Sequence, residues 1–301
     1  MKAALLREVD GPFELADLPD PDADGKVLVR VRAAGINFAD VLIRRGRYPQ
    51  MPELPVVLGS EIAGELEDGT RVMAFASGGY AELAVAEPSQ IVQLPDHASF
   101  AEGASFLLTF LTAYIPLTRL VRVRPGASVL VLAGAGGVGC AAIQVARSLG
   151  ANVVAAAGSP EKLDLCRSLG AADAYVYDEI PDDLRVDVVV DPVGGELFER
   201  ALGKLKPMGS LIAIGFAAGA WPEISPANLV GRNVGVHGFY LGRLMRHEPE
   251  LVGVAIGELL GLWETGALKP VVGAELPLAD VERAHELVES RKSTGKVVLL
   301  P

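Results

Sequence analysis

The chain has 301 residues, half of them hydrophobic and 22% charged, the profile of a soluble globular protein long enough for two domains with separate cores. Its net charge of -11 and pI near 4.9 argue against a nucleic-acid partner, which wants a basic face, and against adsorption to an anionic membrane. Two cysteines, Cys140 and Cys166, cannot build a disulfide framework, and the N-terminal apolar stretch is too short for a signal peptide, so a cytoplasmic protein is expected.

Along the first hundred residues, LVRVRAAGINF (28–38) and TRVMAF (70–75) read as antiparallel strands, with proline and glycine punctuating the rest. ASVLVLA (127–133) follows a Pro125-Gly126 boundary and reads as a buried strand. The uncharged run continues to Arg147, long enough to suggest a membrane span on hydropathy alone. Four glycines in six positions, Gly134, Gly136, Gly137 and Gly139, argue for a tight turn instead, because such a cluster is costly inside a helix. Beyond it Ile143, Ala146 and Leu149 recur at helical spacing until Gly150.

Strand, glycine turn and helix form the context of a dinucleotide-binding loop. Gly134, Gly136 and Gly139 have the spacing for a tight turn, for close approach of backbone to pyrophosphate, and for close helix–strand packing. The candidate cofactor-binding loop is therefore Gly134, Ala135, Gly136, Gly137, Val138 and Gly139, with a helix N-terminus offering free N–H groups and its positive dipole end.

Downstream, NVVAAA (152–157), ADAYVY (172–177), VDVVVD (186–191), SLIAIG (210–215) and NVGVHGFY (233–240) read as further strands. Between them lie helical stretches such as 159–170, with Ser159 as N-cap and Pro160 at its first position, and GELFERALGKL (195–205). The alternation predicts an α/β fold, a Rossmann doubly wound parallel sheet, over residues 113–253. Residues 249–266 and 279–290 are helical and KVVLL (296–300) is a final strand, so residues 1–112 and 254–301 are expected to share one β-rich catalytic lobe.

The second Rossmann strand ends at Ala157 without the acid that usually bonds the ribose 2′-hydroxyl of NAD. Ser159 can donate to a 2′-phosphate and Lys162 can approach it as a charge, which favours NADPH; the alternatives are a helix cap and a solvated lysine. NVGVHGFY as the last strand leaves an open sheet edge, which invites pairing with a second copy in a homodimer.

AGINFADVLIRRGRYP (34–49), LGSEIAG (58–64), GGYAE (78–82), LAGAGGVG (132–139), DPVGG (191–195) and STGKVVL (293–299) together resemble the zinc-free medium-chain dehydrogenases/reductases of the quinone oxidoreductase, or zeta-crystallin-like, branch. The resemblance covers essentially the whole chain and implies a GroES-like fold for the β-rich lobe. Zinc enzymes of the superfamily carry cysteine or histidine ligands where this chain has Asn37, Ser60 and, less directly aligned, Thr109. Amide and hydroxyl groups cannot replace thiolate and imidazole, and His97, His237, His247 and His285 show no ligand spacing, so no metal is expected.

By the same resemblance, Asn37, Asp40 and Tyr48 are the candidate catalytic residues beside the nicotinamide. Asn37 and Tyr48 can donate hydrogen bonds, and Asp40 either orients its neighbours or caps the helix that carries Leu42. Leu42 itself departs from a relative pattern that has tyrosine there. Glu61 reads as a structural anchor rather than a general base. The resemblance adds Tyr177 near the 2′-phosphate, Gly215 and Phe216 beside the nicotinamide ribose, and Lys296 in a C-terminal motif closing over the cofactor. Two function classes follow: an NADPH-dependent reductase of a small-molecule quinone or enone, and a non-catalytic NADPH-binding protein.

Overall fold

The computed structural model describes all residues from Met1 to Pro301 and divides into two compact units, Met1–Leu107 with Pro270–Pro301, and Leu108–Lys269. In chain order the first unit contains β1 (Lys2–Leu6), β2 (Phe13–Asp17), β3 (Val27–Ile36), α1 (Phe38–Arg44), β4 (Val56–Val57), β5 (Glu61–Glu65), β6 (Arg71–Phe75), β7 (Leu83–Ala86), β8 (Ile91–Gln93) and α2 (Phe100–Gly103). The chain passes to the second unit within α3 (Leu107–Ile115). There follow β9 (Ser128–Val131), α4 (Gly137–Ser148), β10 (Asn152–Ala157), α5 (Leu163–Ser168), β11 (Asp173–Val176), β12 (Val186–Asp191), α6 (Gly195–Leu202), β13 (Leu205–Ala213), α7 (Pro226–Arg232), β14 (Gly235–Gly238), α8 (Leu241–His247) and α9 (Pro249–Glu264). The return to the first unit adds β15 (Val272–Pro277), α10 (Val281–Glu289) and β16 (Lys296–Leu300).

The first unit is β-rich and built from both chain ends. Its largest sheet runs β15-β16-β3-β5-β6-β8, so the C-terminal strand β16 lies directly against β3. β3 alternates buried and exposed residues over its first half, the period of a strand with one face in a core, and is buried throughout its second half. Leu6, Val29, Val31, Ile62, Val72, Tyr80, Val281, Val297 and Leu299 meet in one core that neither chain end fills alone.

The second unit is a parallel six-stranded sheet in the order β11-β10-β9-β12-β13-β14. Its chain reversal lies between β9 and β12, the switch point at which such sheets bind ligands beyond their carboxyl ends. β12 reads Val-Asp-Val-Val-Val-Asp, and its buried valines suit a central parallel strand covered on both faces. β10 and β12 have the expected extents; β14 is shorter, four residues at the sheet edge.

The second crossing falls at Lys269/Pro270, not near residue 254 as the sequence suggests. The reason is the continuity of α9, which buries Val252, Ala255, Leu259 and Trp263 along one face and ion-pairs through Glu258 with Arg119 of the same unit. Gln144 of α4 then holds the backbone of Lys269 from both sides, accepting from its N–H at 2.8 Å and donating to its carbonyl at 3.0 Å. The helical stretch Phe100–Leu120 is long and apolar enough to cross a bilayer by length and composition, and 83% of its most apolar window is buried inside the protein, as in a core helix.

Candidate active site

The glycine loop follows β9 directly. Leu132 N–H extends the sheet by donating to Val190, Ala133 takes a positive φ of 49°, and Gly136 precedes the first turn of α4 as its N-cap. No side chain caps that turn, so its first N–H groups remain open to a ligand. Gly139 is required by space: a Cβ there would stand 2.0 Å from the carbonyl oxygen of Ala133. Gly134 is tight to a lesser degree, with its Cβ position 3.0 Å from both Ala155 Cβ and Cys166 Sγ. At Gly136 the nearest atom would be 3.3 Å away and the φ is -83°, so the fold itself tolerates a side chain there. The loop is a backbone-lined cradle that fits a dinucleotide pyrophosphate, with Ala135 buried beneath it and Gly137 and Val138 half-buried on the first helical turn.

The ends of β10 and β11 bring Gly158 and Tyr177 together. A Cβ on Gly158 would lie 3.7 Å from Tyr177 Cε2, so the tyrosine ring reaches across to the end of β10. Tyr177 opens a 3-10 turn just after β11 rather than ending the strand. Ser159 takes the N-cap position, but the element it precedes starts as a 3-10 turn over Pro160–Lys162 and its side chain makes no capping bond. Its hydroxyl instead bonds Glu161 and holds that carboxyl below the usual range. The acid at 161 was not read from the sequence. Lys162 is half-buried, and burial lowers its ammonium pKa.

Beyond β13, the loop carrying Gly215 and Phe216 is clasped to the DPVGG turn. Ala217 and Ala218 N–H donate to the carbonyls of Pro192 and Val193 at 3.2 and 2.8 Å. Asp191 Oδ1 accepts from the N–H groups of Val193 and Gly194 at 2.7 and 3.0 Å, which shapes the turn from within. Gly194, at φ 70°, has no room for a Cβ, which would be 3.0 Å from the Ala220 carbonyl oxygen and 3.3 Å from Phe216. Phe216 in turn packs on the exposed Trp221, ring centroids 4.8 Å apart, a residue to which the sequence assigned no role.

In the first unit the candidate catalytic residues stand at the start of α1. Asp40 is buried in the first turn and accepts from Asn37 N–H at 2.8 Å and from Tyr80 Oη at 3.0 Å. It therefore caps the helix and holds a phenol as well. Tyr80 reaches it because two glycine motifs interlock: Gly59, at φ 96°, lets the Tyr80 ring lie against its backbone, and Gly79 N–H donates to the Gly59 carbonyl at 2.9 Å. Burial pushes the Asp40 carboxyl up to about 6, against the opposing pull of its two donors and the Lys296 charge. Tyr48 is half-buried beyond α1, and Leu42 is buried.

Asn37 itself is only 5% exposed, and its side-chain oxygen accepts from Lys296 Nζ. The same ammonium donates to Glu61 Oε2 at 2.7 Å, with Lys296 4% and Glu61 0% exposed. Lys296 is thus held in a buried pair inside the first unit. Register explains the meeting: Val297 pairs with Ile36 across β16 and β3, and Gly35 pairs with Glu61 across β3 and β5. The residue before Val297, the one after Ile36 and Glu61 therefore converge at one end of the sheet. Gly35 leaves the lysine stem its path, since a Cβ there would meet Lys296 Cε at 2.8 Å and the Ala104 carbonyl oxygen at 2.0 Å.

This donor set does not suit zinc. Amide, hydroxyl and ammonium groups stand at Asn37, Ser60 and Lys296, and no three His, Cys, Asp or Glu side chains gather as a metal would require. His285 is buried in the core, its ring 4.8 Å from Phe13 and 5.8 Å from Tyr80, without a protein hydrogen-bond partner on either nitrogen.

Known proteins resemble the chain in sequence and fold. Residues 23–96 match the alcohol dehydrogenase GroES-like domain and residues 137–255 the zinc-binding dehydrogenase model. A quinone oxidoreductase-like protein 2 homolog from Nematostella vectensis is 33% identical over 99% of this chain and 88% of its own length. Among solved structures, the quinone oxidoreductase of Thermus thermophilus, determined also in complex with NADPH, is 43% identical over the whole of both chains with a TM-score of 0.93. A mycobacterial protein solved with NADPH is 34% identical over both whole chains, also with a TM-score of 0.93. The chain therefore belongs to the medium-chain dehydrogenase/reductase family, in its zinc-free quinone oxidoreductase branch.

Proposed function

We propose that the protein is an NADPH-dependent oxidoreductase that reduces a quinone without a metal. The observation that carries this reading is the cradle at the start of α4, where Gly139 admits no Cβ and no side chain competes for the first helical N–H groups. The likeness to a quinone oxidoreductase solved with NADPH supports the same reading. The end of β10 supports the phosphorylated cofactor: it carries Ala157 and Gly158 where an acid would favour NADH, with Ser159, Lys162 and Tyr177 beside it.

NADPH, when bound, supplies the hydride. The backbone from Gly134 to Gly139 would hold its pyrophosphate, Ser159 and Lys162 its 2′-phosphate, and Gly215 and Phe216 its nicotinamide end. Asn37 and Tyr48 would donate hydrogen bonds to the acceptor oxygen on which charge develops, with Asp40 fixing the turn that presents Asn37. A quinone takes one hydride and one proton and leaves as the hydroquinone. Its oxygens can draw that proton from water, so the site needs no dedicated acid, which favours quinones over enones. The open edge of β14 fits pairing with a second copy of the chain, and the composition fits a cytoplasmic enzyme.

Steady-state NADPH oxidation with quinones, alkenals and enoyl thioesters side by side tests the reading. Quinones should give the highest kcat/KM. Faster turnover of alkenals or enoyl thioesters would make the protein a double-bond reductase. Tight NADPH binding with no turnover of any acceptor would leave it a non-catalytic NADPH-binding protein.

A further inference from the structure

The pair Lys296–Glu61 is the most deeply buried ion pair of the protein, and it is not closed on itself. A buried pair is costly unless further hydrogen bonds satisfy it, and such pairs stabilise a fold poorly compared with apolar packing. Here the ammonium spends one donor on Glu61 and another on the side-chain oxygen of Asn37. An ammonium has three donors and no acceptor, so only the oxygen of an amide can face it. Lys296 therefore holds the Asn37 amide with its oxygen toward the ammonium, in the same sense as the capping box in which that side chain accepts from the Asp40 backbone. The Nδ2 edge faces away from the lysine, 3.5 Å from the Gly35 carbonyl oxygen, which leaves a second N–H of that group for another partner.

We propose that Lys296 is a positioning residue for the reaction: clamped by Glu61, it fixes the Asn37 amide so that Asn37 presents hydrogen-bond donors to the oxygen of the hydride acceptor. The proposal rests on the functional reading above and deepens it. An amide held in this sense recognises carbonyl and quinone oxygens, and cannot flip to accept from a substrate hydroxyl or N–H. The lysine also donates to the amide oxygen, which polarises the Nδ2 donors toward the oxygen that becomes negative. Lys296 lies 259 residues from Asn37 in the chain, and Glu61 reaches the amide only through the lysine. Lys296 does not touch the acceptor in this arrangement and acts only through Asn37.

Two measurements test this together. The chain has four asparagines, Asn37, Asn152, Asn228 and Asn233, so 15N-asparagine labelling gives four side-chain amide pairs, and Asn37→Ala identifies the buried one. Lys296→Met should shift the Asn37 pair and speed its hydrogen exchange, while Lys296→Arg should keep it protected. Lys296→Met should also lower kcat/KM for the acceptor roughly tenfold or more, with NADPH affinity within about twofold of wild type. Lys296→Arg should recover part of the loss, and in an Asn37→Ala background Lys296→Met should cost little more. Since Lys296→Met strands the Glu61 carboxylate, Lys296→Met combined with Glu61→Gln provides a folded variant for the same comparisons. Unmoved Asn37 resonances, or losses that simply add in the double variant, would overturn the assignment of Lys296 alone. Wild-type protein that binds NADPH and reduces no acceptor would overturn the functional reading, and with it the role of the positioned amide.

Discussion

Tyr80 donates its phenolic hydrogen to Asp40, Oη to Oδ2 at 3.0 Å, where both side chains are buried in the first unit. The same carboxylate oxygen takes the Asn37 N–H at 2.8 Å. A carboxyl so placed ionises near pH 6 in the folded protein and near 3.8 in the unfolded chain, because burial disfavours its charge more than two donors favour it. Its folded pKa is raised, so its contribution to stability is greatest below pH 3.8 and is lost as the pH rises through about 6. Asp40→Asn can keep both bonds on one amide oxygen and carries no charge. It should be more stable than wild type above pH 6 by roughly 1–3 kcal/mol, an advantage that fades toward pH 4 in urea denaturation series. A difference that does not change with pH would refute this account.

His285 titrates in the opposite sense. Burial pushes its imidazole down to about 3, and the Arg44 guanidinium adds to the effect. Its folded pKa lies below the ordinary 6.5, so stability is fully present above pH 6.5 and is lost as the pH falls toward 3. The unfolded chain takes up the proton that the core refuses. His285→Phe keeps a ring against Phe13 and Tyr80 and gives up no protein hydrogen bond. Its acid-unfolding midpoint should move to lower pH than that of wild type, by circular dichroism. An unchanged midpoint would place the acid sensitivity elsewhere.

The glycine loop separates packing from binding. Gly139→Ala forces a methyl group to within 2.0 Å of a carbonyl oxygen and should destabilise the fold by about 2–4 kcal/mol while abolishing NADPH binding. Gly136→Ala meets nothing closer than 3.3 Å, so it should fold with near-wild-type thermal stability yet weaken NADPH binding tenfold or more, about 1.4 kcal/mol, by crowding the pyrophosphate. Thermal melts with and without NADPH distinguish the two. Equal loss of stability in both variants would contradict these roles.

Cofactor choice should reside at the end of β10. Wild type should bind NADPH at least tenfold more tightly than NADH, about 1.4 kcal/mol, and Lys162→Ala should weaken NADPH far more than NADH. Glu161 engages Ser159, so if Ser159 and Lys162 hold the 2′-phosphate as proposed, Glu161→Gln should strengthen NADPH binding by removing a like charge. Fluorescence titration with both nucleotides reads all three. Native preference for NADH would reverse the assignment.

The assembly prediction concerns β14, whose outer edge has no strand partner within the chain. Exposed Val230 and Met208 lie on segments adjoining it, and Met208 N–H is tied to the Asn233 carbonyl at 2.6 Å. Sedimentation should show a homodimer at micromolar concentration, and Val236→Pro in the edge strand should yield monomer. A monomeric wild type would end the proposal.

Much of this was legible in the chain itself, and the exceptions have one cause. β10, β12 and the start of α4 follow from local signals: apolar runs of strand length, glycines at fixed spacing, a proline at the first position of a turn. The pairing of both ends in one β-rich unit was also readable, because strand patterns stand at both ends of a chain whose Rossmann unit begins in the middle. The division at Lys269/Pro270 was misplaced because helical periodicity in α9 identifies a helix but not the unit it packs against.

By itself, then, the sequence determined the Rossmann unit and its glycine cradle, since residues within a few positions of one another dictate a strand, a turn and a helix N-terminus. The tertiary structure decided what the polar residues do. Tyr80 was one letter in a glycine motif until register set it on Asp40, and Glu61 an acid in a tight stretch until β16 brought Lys296 beside it. Lys296, known from the sequence only as a residue of the C-terminal motif, meets Glu61 and Asn37 because β16 inserts between β15 and β3. Periodicity carries information over a turn or a strand; which strands become neighbours is set by how two distant chain ends bury one core, and only that pairing shows where a buried charge finds its partner.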